Sequence, residues 1–463
     1  MAFQIEVSEP EGEGGARILQ VRRDGGPPRE YELAGATQTA YQDLFARFAA
    51  DYGCRMPLSR RPVAAAPADP RLQPLLTENL TPDILYGYGD PSVLRDGDRW
   101  WLTVTSNDAP QSFPILSSRD LVAWEPAGFV FPAGAKPAWA MDGPGSDFWA
   151  PETHRIGDEY WLCFTAREHG GQLAIGLAKA AAPGGPYAPP ERPLLSGDVI
   201  DAHILPDPEG PILYWKEDSN GHWPGPLGQL LYEREDLLPK LLPDAEDQVT
   251  GEIARALHVW AETLGPMERF CLRQLLIEAV TEDFAAFRTR LKALREEIGP
   301  LADVVLEALT TTVYAQRLAP DGSGLAGERV AVLCNDLPWE AHLIEGMWIT
   351  RAGGRFWMFY SGNDFSTAQY GIGVAVADSP FGPFRKQPEP FLRSTADWWG
   401  PGHAAVGVGP EGEPRLFLHA FRPGEMGYKV FRALLTAPIA FEDGTVRLVD
   451  RPIRGVAGGI TGR

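Results

Sequence analysis

The chain has 463 residues, enough for one large domain or two to three ordinary ones, and 44% of them are hydrophobic and 22% charged. Its 62 acidic residues outnumber the 42 basic residues and give a formal charge of −20. This charge argues against a nucleic-acid partner or an anionic membrane surface, because both need clustered Lys and Arg. The charge does not argue against neutral or cationic ligands.

Residues 1–80 form an N-terminal extension ahead of the first strand pattern. The run QTAYQDLFARFAADYG, which starts at Gln38, predicts one helix, and the Pro/Ala-rich run RRPVAAAPADP (61–70) predicts a linker. The N-terminus lacks the basic start and apolar run of a signal peptide, and no stretch approaches about 18 uninterrupted apolar residues. We therefore expect a cytoplasmic protein with no membrane part.

The four cysteines are scattered and form no C-x-x-C pair. This predicts single buried thiols in a reducing compartment rather than a disulfide framework or a zinc site. His154, His203 and His342 are likewise dispersed without the spacing of zinc ligands.

Five segments share one pattern. They are DPSVLRDGDRWWLTVTSND (90–108), APETHRIGDEYWLCFTAR (150–167), DAHILPDPEGPILYWKED (201–218), EGMWITRAGGRFWMFYSGND (345–364) and HAAVGVGPEGEPRLFLHAF (403–421). Each runs through a short alternating strand, turns at a Gly-containing dipeptide and resumes as an aromatic-rich strand, which predicts a β-hairpin. Three of the four intervals between their starts are about fifty to sixty residues long, a spacing typical of propeller blades. The sequence predicts an all-β fold, a five-bladed β-propeller over residues 81–463.

The third interval is longer because the hydrophobic period changes within it. Between residues 236 and 312, segments such as EIARALHVWAETL place apolar residues at helical spacing. We expect an α-helical insert in the third blade. Its amphipathic faces need further apolar partners, so we expect it to cover the rim of the central channel or to form a homo-oligomer contact.

The first residues of the five segments are the candidates for a functional site, because the first strand of each propeller blade lines the central channel. These residues are Asp90, Ala150, Asp201, Glu345 and His403. Three of them are carboxylic acids on different blades. Carboxylates that converge repel one another and raise at least one pKa, and glycoside hydrolysis needs such a raised acid opposite an ionised base. Glu340, five residues before Glu345, is expected to be a solvated loop acid.

Six short motifs resemble glycoside hydrolase family 43, whose members are five-bladed propeller enzymes acting on arabinose- and xylose-containing polymers. They are GDPSV (89–93), FWAPE (148–152), VIDAHILPDPEG (199–210), LIEGMWITRAGGRFWMFYSGN (343–363), YGIGVAVADSPFGPF (370–384) and GPGHAAV (400–406). By position, Asp90 resembles the family's general base and Glu345 its general acid. Asp201 resembles the carboxylate that tunes the acid, and His403 resembles a histidine near a channel metal ion or water cluster.

The resemblance implies an inverting mechanism in which Asp90 activates water and Glu345 protonates the departing oxygen, with the two carboxyls roughly 6.5–9.5 Å apart. Trp149, Trp399, Arg422 and His203 are candidate substrate-binding residues. No cofactor is expected to be required, and a structural calcium ion at His403 is the candidate metal.

The favoured function is release of terminal arabinofuranose or xylose from small oligosaccharides. α-L-Arabinofuranosidase is preferred over β-xylosidase, because longer family xylosidases often carry an additional C-terminal β-sandwich that is not apparent here. A fructan-cleaving relative is a further alternative, but the Trp-x-Asn-Asp-Pro strand of those retaining enzymes is missing. A non-catalytic sugar-binding or protein-interaction propeller is the alternative from another class.

Overall fold

The computed structural model describes residues 2–10, 15–57, 59, 66–218, 223–442 and 444–455. The N-terminal unit comprises strands β1 (Phe3–Ser8), β2 (Arg17–Arg23) and β3 (Arg29–Leu33) and helix α1 (Gln38–Tyr52). The Thr37 hydroxyl caps α1 by accepting a hydrogen bond from the backbone N–H of Ala40, and Gly53 ends it with a φ of 72°. The predicted helix is confirmed, whereas the sequence pattern did not reveal the three strands.

Strand β4 (Gln73–Leu76) pairs with the last sheet of the chain. The boundary predicted at residue 80 is therefore wrong, because strand pairing already ties the chain to the β region at Gln73. Of the predicted linker 61–70, residues 61–65 lie outside the described residues.

Five antiparallel sheets then follow in chain order. Sheet one is β5 (Ser92–Asp96), β6 (Arg99–Thr103), β7 (Ser112–Ser118) and β8 (Trp124–Phe131). Sheet two is β9 (Trp149–Ile156), β10 (Glu159–Arg167), β11 (Leu173–Ala180) and β12 (Leu195–Ser196). Sheet three is β13 (Val199–Leu205), β14 (Ile212–Glu217), β15 (Thr312–Leu318) and β16 (Leu325–Cys334). Sheet four is β17 (Ile344–Ala352), β18 (Arg355–Gly362), β19 (Gly371–Ala377) and β20 (Arg385–Lys386). Sheet five is β21 (Trp399–Val408), β22 (Pro414–Phe421), β23 (Ala433–Glu442) and β24 (Thr445–Leu448), with β4 on β23.

Each of the five predicted hairpins forms the first two strands of one sheet, so the hairpin predictions are confirmed. The turn between β17 and β18 shows why glycine is needed there. Gly353 and Gly354 both have positive φ, 57° and 76°, the conformation that a tight two-residue hairpin turn requires.

A helical segment lies between β14 and β15, the second and third strands of sheet three. Its helices are α2 (Pro224–Glu233), α3 (Leu238–Leu241), α4 (Ala245–Ala261), α5 (Pro266–Thr281), α6 (Phe284–Ala293), α7 (Arg295–Ile298) and α8 (Pro300–Ala308). The helices begin earlier than the predicted residue 236, because Pro224 starts α2 as a first-turn proline. No helix in the described part of the chain is long and apolar enough to span a membrane.

The N-terminal unit and the helical segment share one hydrophobic core. Polar contacts reinforce it: Gln38 Nε2 donates to Gln274 Oε1 at 3.2 Å, and Tyr41 Oη donates to Glu268 Oε1 at 2.8 Å. The apolar faces of the helices therefore find their partners within the same chain. This removes the reason for which a homo-oligomer contact was expected, and the oligomeric state stays a prediction.

The shared core makes a prediction about local stability. Replacing Phe48, a fully buried α1 residue of this core, by Ala should lower the free energy of unfolding by about 3–5 kcal/mol, because the cavity left behind adds to the lost burial. Hydrogen exchange should quicken in α5 more than in β18, since α5 packs on α1. Val259→Ala on the exposed side of α4 is the matched control and should change neither quantity. Equal acceleration in α5 and β18 would contradict the proposed support of the helices by the N-terminal unit.

Candidate active site

One residue at the start of each sheet's first strand has a left-handed backbone. These residues, called the head residues below, are Asp90, Ala150, Asp201, Gly346 and His403, with φ between 46° and 58°. Residues other than glycine adopt this conformation rarely, and the surrounding structure must hold them there. The recurrence of the same strained position in all five sheets shows that they are structural repeats.

Each head residue donates its backbone N–H to a side chain of another sheet. The acceptors are Thr105 Oγ1 for Ala150 (2.8 Å), Thr165 Oγ1 for Asp201 (3.3 Å), Asp201 Oδ2 for Gly346 (2.9 Å), Ser361 Oγ for His403 (2.8 Å) and His419 Nδ1 for Asp90 (3.2 Å). These bonds link sheet one to two, two to three, and so on until sheet five returns to sheet one. The head residues are thereby held around one centre.

Strand pairing shows that Glu345 is not a head residue. Glu345 pairs with Ser361, just as Trp149 pairs with Thr165 and Ile200 with Lys216. It thus occupies the position before the head, and the prediction that it matches Asp90 and Asp201 in register is wrong by one residue. An irregular pairing follows the same position in sheets two, three and four, so Gly346 corresponds to the heads Ala150 and Asp201.

Asp90, Asp201, Glu345 and His403 nevertheless line one pocket of about 270 Å³. Trp149 lines it as well, and its indole Nε1 donates to Asn107 Oδ1 at 3.0 Å. The carboxylates on three separate sheets are therefore brought together, as the repeat comparison predicted.

Three of the predicted substrate-binding residues lie away from the pocket lining. Trp399 is buried among Ala368, Phe421 and Met426, and Arg422 donates to the carbonyl of Thr77 at 2.8 Å. The structure therefore does not place these two side chains in the pocket lining, although Phe421 at the end of β22 does line it.

His203 is also wrongly predicted as a substrate ligand. It is 1% exposed, and its Nδ1 lies 2.7 Å from Glu152 Oε2, while its Nε2 lies 3.1 Å from the backbone N–H of Ile349. These two contacts occupy both ring nitrogens of His203 and hold the side chain inside the protein.

Asp90 is held as an ionised carboxylate. Arg432 forms a bidentate ion pair with it at 2.7 and 3.0 Å, and Thr105 Oγ1 donates to it at 2.5 Å. Burial by itself would raise the pKa of Asp90. The positive charge of Arg432, with contributions from His419 and His403, outweighs burial and holds the pKa well below its usual value.

Glu345 is held in the opposite state. Burial raises its pKa, and the neighbouring Asp201 and Asp90 carboxylates add to this, so that the pKa reaches about 7. Lys216 Nζ at 3.5 Å and the Tyr370 hydroxyl, which donates to Oε1 at 2.8 Å, oppose the rise. One pocket therefore holds an ionised carboxylate and a carboxylic acid that stays largely protonated up to about neutral pH.

Asp201 lies between these two groups. Burial and the Asp90 carboxylate raise its pKa, while His403, Lys216 and the hydrogen bond from the Gly346 N–H lower it, and the pKa stays above its usual value. When Asp201 is ionised, its negative charge raises the pKa of Glu345. The arrangement can supply both a proton donor and a proton acceptor to a substrate bound in the pocket.

The comparison with known families agrees with this geometry. The model described as glycosyl hydrolases family 43 matches residues 82–235 and 305–446, well over half of the chain, and its gap falls on the helical segment.

The chain belongs to glycosyl hydrolase family 43.

Known proteins of this kind are distant in sequence. A xylosidase/arabinosidase of Bacteroides ovatus is 23% identical over 309 residues, which are 66% of this chain and 74% of the relative. The crystal structure of a thermostable family-43 glycoside hydrolase has a TM-score of 0.56 at 24% identity and covers 84% of this chain and 100% of its own. An endo-1,4-beta-xylanase of Bacteroides thetaiotaomicron has a TM-score of 0.53 at 18% identity over 80% of this chain and 97% of its own. This family 43 protein is a glycoside hydrolase, an enzyme that hydrolyses O-glycosyl bonds, as its motifs predicted.

His403 of this family 43 enzyme faces a carboxylate with each ring nitrogen. Its Nδ1 lies 3.6 Å from Asp90 Oδ1 and its Nε2 lies 3.4 Å from Glu152 Oε1. Burial lowers its pKa, but the carboxylates of Glu152, Asp90 and Asp201 outweigh burial and raise it to about 9. The charge of the protonated imidazole offsets these carboxylates. The calcium ion at His403 stays a prediction, and we derive no step through a metal.

Beneath His403, the buried cluster of Glu152, His154 and His203 has ligand-type atoms within 4.8 Å of one another. Both ring nitrogens of His203 already face a hydrogen-bond partner, and His154 Nε2 lies 3.3 Å from Glu152. The cluster satisfies itself, as expected for dispersed histidines, and supports the floor of the site.

Glu340 was expected in solvent and is instead fully buried. Its carboxylate accepts from Tyr360 Oη and Lys386 Nζ, both at 2.7 Å, and from two backbone N–H groups at 2.9 Å. It lies outside the pocket lining and fixes the connection that leads into β17.

The four cysteines also differ from expectation in one case, since Cys334 is exposed while the other three are buried.

The sequence reasoning missed several residues around the acid and the base. They are Arg432 and Thr105 on Asp90, Lys216 and Tyr370 on Glu345, and His419 beneath Asp90. A signal did exist for three of these: Thr105, Lys216 and His419 occupy matched places near the end of the second strand, together with Thr165 and Ser361. A polar residue after an aromatic-rich strand in every repeat could have marked this position. Arg432 and Tyr370 had no comparable signal because they come from loops and strands outside the hairpins.

Arg432 provides a test of the state of Asp90. In Arg432→Met the pKa of Asp90 should rise, because its largest stabilising charge is lost, so the acidic limb of the kcat/KM profile should move to higher pH and activity should fall. Arg422→Met is the matched control, an arginine ten residues away that lies outside the pocket lining, and it should leave the profile in place. An unchanged acidic limb in Arg432→Met would show that Asp90 is not the group that must be ionised.

Lys216 and Asp201 act on Glu345 with opposite signs. Removing the positive charge in Lys216→Met should raise the pKa of Glu345 and move the basic limb of the pH profile to higher pH. Removing the negative charge in Asp201→Asn should lower the pKa of Glu345 and move the basic limb to lower pH. The measurement is kcat/KM against pH for each variant beside the wild type, whose basic limb should lie near pH 7. Shifts in the same direction for both variants would contradict the assignment.

Proposed function

We propose that the five sheets are the blades of a five-bladed β-propeller with the helical segment inserted in the third blade. The support is the series of hydrogen bonds between head-residue amides and side chains, which links each sheet to the next. The bond from the Asp90 N–H to His419 links sheet five back to sheet one. Such an arrangement places the first strand of each sheet around a common axis.

We propose that the pocket hydrolyses glycosides with inversion at the anomeric carbon. The observation that carries this is the opposite shift of two carboxyl pKa values in one pocket, with Asp90 far below its usual value and Glu345 raised to about 7. Asp90 takes a proton from water as the water oxygen attacks the anomeric carbon. Glu345 gives its proton to the glycosidic oxygen as that bond breaks.

Asp201 is a positioning residue in this proposal. Its charge favours the protonated form of Glu345, and its Oδ2 accepts the Gly346 N–H, which fixes the backbone next to Glu345. Tyr370 holds the Glu345 carboxyl by a hydrogen bond and lies at the end of the loop that follows β18. The acid is therefore oriented from two sides.

For the substrate, we propose terminal arabinofuranosyl or xylosyl residues on short molecules, hydrolysed in the cytoplasm, with α-L-arabinofuranosidase as the preferred activity. The Bacteroides ovatus relative is a xylosidase/arabinosidase, which supports a pentose in the pocket. Pro266, Met267, Arg269 and Phe270 of the helical segment line the same pocket, which favours a short substrate over a long polymer. β-Xylosidase is the second candidate.

The roles of Asp90 and Glu345 are separated by the leaving group. Asp90→Ala should nearly abolish hydrolysis of every pentoside, because no other group activates the water. Glu345→Ala should slow a nitrophenyl pentoside much less than a sugar–sugar bond, since nitrophenolate departs with little protonic help. The measurement is kcat/KM on nitrophenyl arabinofuranoside and xylopyranoside and on the matching disaccharides. Full activity in Asp90→Ala would show that Asp90 does not activate the water and would overturn the assignment of the base.

A further inference from the structure

One wall of the pocket is apolar and comes from outside the strand hairpins. Pro266, Met267 and Phe270 from the first turns of α5 line it, together with Phe365 from the loop after β18. The rings of Phe270 and Phe365 are stacked, with centroids 5.5 Å apart and planes at 14°. The helical segment thus adds an apolar surface to a site whose floor is made of carboxylates.

The polar groups of this wall are directed to protein partners. Arg269 Nε donates to the carbonyl of Ala261 at 3.2 Å, and its Nη2 donates to that of Leu264 at 2.9 Å. Glu268, next to it, accepts from Tyr41 at 2.8 Å and pairs with Arg17, both in the N-terminal unit. Tyr428, which also lines the pocket, donates its hydroxyl to Asp147 at 2.9 Å.

The apolar wall lies on the side of the acid. Phe365 belongs to the loop that begins after Ser361, the strand partner of Glu345, and ends at Tyr370, which donates to Glu345. The acid protonates the departing oxygen, so the group next to it is the leaving group and not the pentose. The wall therefore faces the part of the substrate that becomes the released alcohol.

A sugar leaving group does not suit such a wall. Only the C–H faces of a sugar can pack on these side chains, and hydroxyls that meet the wall would lose water without gaining partners, whereas an aromatic or alicyclic leaving group would bury apolar surface all round against Phe, Met and Pro. We propose that the preferred substrates are pentosides of apolar alcohols, that is, glycosides with an aromatic or terpenoid-like aglycone, rather than sugar–sugar linkages. This inference rests on the proposed function, in which water supplies the hydroxyl at the anomeric carbon and Glu345 supplies the proton to the aglycone oxygen.

The test compares leaving groups on the pentose that the wild type accepts. The 2-phenylethyl and methyl pentosides both release primary alcohols, so a difference between them reports recognition of the aglycone rather than ease of departure. We expect kcat/KM for the phenylethyl pentoside to exceed that for the methyl pentoside about tenfold or more, and also to exceed that for the disaccharide.

Two variants connect this preference to the wall. Met267→Gln and Phe270→Ser should each reduce the phenylethyl-to-methyl ratio severalfold, and Met267→Gln, at a half-buried position, keeps the test valid if Phe270→Ser fails to fold. Val259→Gln on the exposed side of α4 is the matched control and should keep the wild-type ratio. Thermal melting checks that each variant is folded.

The outcomes separate this inference from the proposed function. Hydrolysis of the disaccharide at least as fast as of the phenylethyl pentoside would overturn the inference and leave the glycosidase proposal standing. The inference would also be overturned if Met267→Gln and Phe270→Ser, both folded, kept the wild-type ratio of kcat/KM between the phenylethyl and methyl pentosides. If the wild type hydrolysed no pentoside at all, the proposed function would be wrong and the inference would fall with it.

Discussion

The hydrogen bonds from the five head amides are the constraint on which the rest of the molecule depends. Each head residue has a left-handed backbone that is costly for anything but glycine, and each is held by a side chain from another sheet. Strain of this kind persists where the surroundings over-determine it, and it is common at functional sites. Here it turns the start of each first strand towards one centre, so Asp90, Asp201 and His403 meet although they are far apart in the chain.

Because these residues are buried close together, their surroundings decide which carboxyl groups are ionised. A buried carboxyl tends to hold its proton unless positive charge and hydrogen bonds favour the ion. Asp90 receives the guanidinium of Arg432 and stays ionised, whereas Glu345 faces the carboxylates of Asp201 and Asp90 as well as the Lys216 ammonium group. Two carboxyl groups, those of Asp90 and Glu345, therefore take opposite protonation states within one pocket. The difference comes from partners contributed by other sheets.

The helical segment and the N-terminal unit act as one body beside this centre. Their joint core leaves the first turns of α5 free to line the pocket, while the remaining apolar faces are covered by α1 and the β1–β3 sheet. Gln38 connects the two parts to the fifth sheet, because it binds Gln274 and also accepts the backbone N–H of Tyr428 at 2.5 Å. Elements that are remote in sequence thus shape the side of the pocket that meets the leaving group.

The sequence by itself determined the strand hairpins, the family and the three carboxylates. Alternating apolar residues around Gly-containing turns are local patterns, and a strand and its neighbour across a tight turn need no tertiary information. The helices were visible for the same reason, through their 3.6-residue period. The exact alignment of the repeats was not, since the glutamate of the fourth repeat stands one residue before its head, Gly346, and only the strand pairing and the backbone conformation show this offset.

Only the tertiary structure decided which side chains surround the acid and the base. Arg432 and Tyr370 come from places that no sequence pattern connects to Asp90 or Glu345, and their effect depends on distances of about 3 Å. Trp399, Arg422 and His203 lie outside the pocket lining because their side chains contact other parts of the protein. Sequence periodicity fixes which residues lie on strands, but the direction of each side chain at the end of a bulged strand is set by the sheets packed around it.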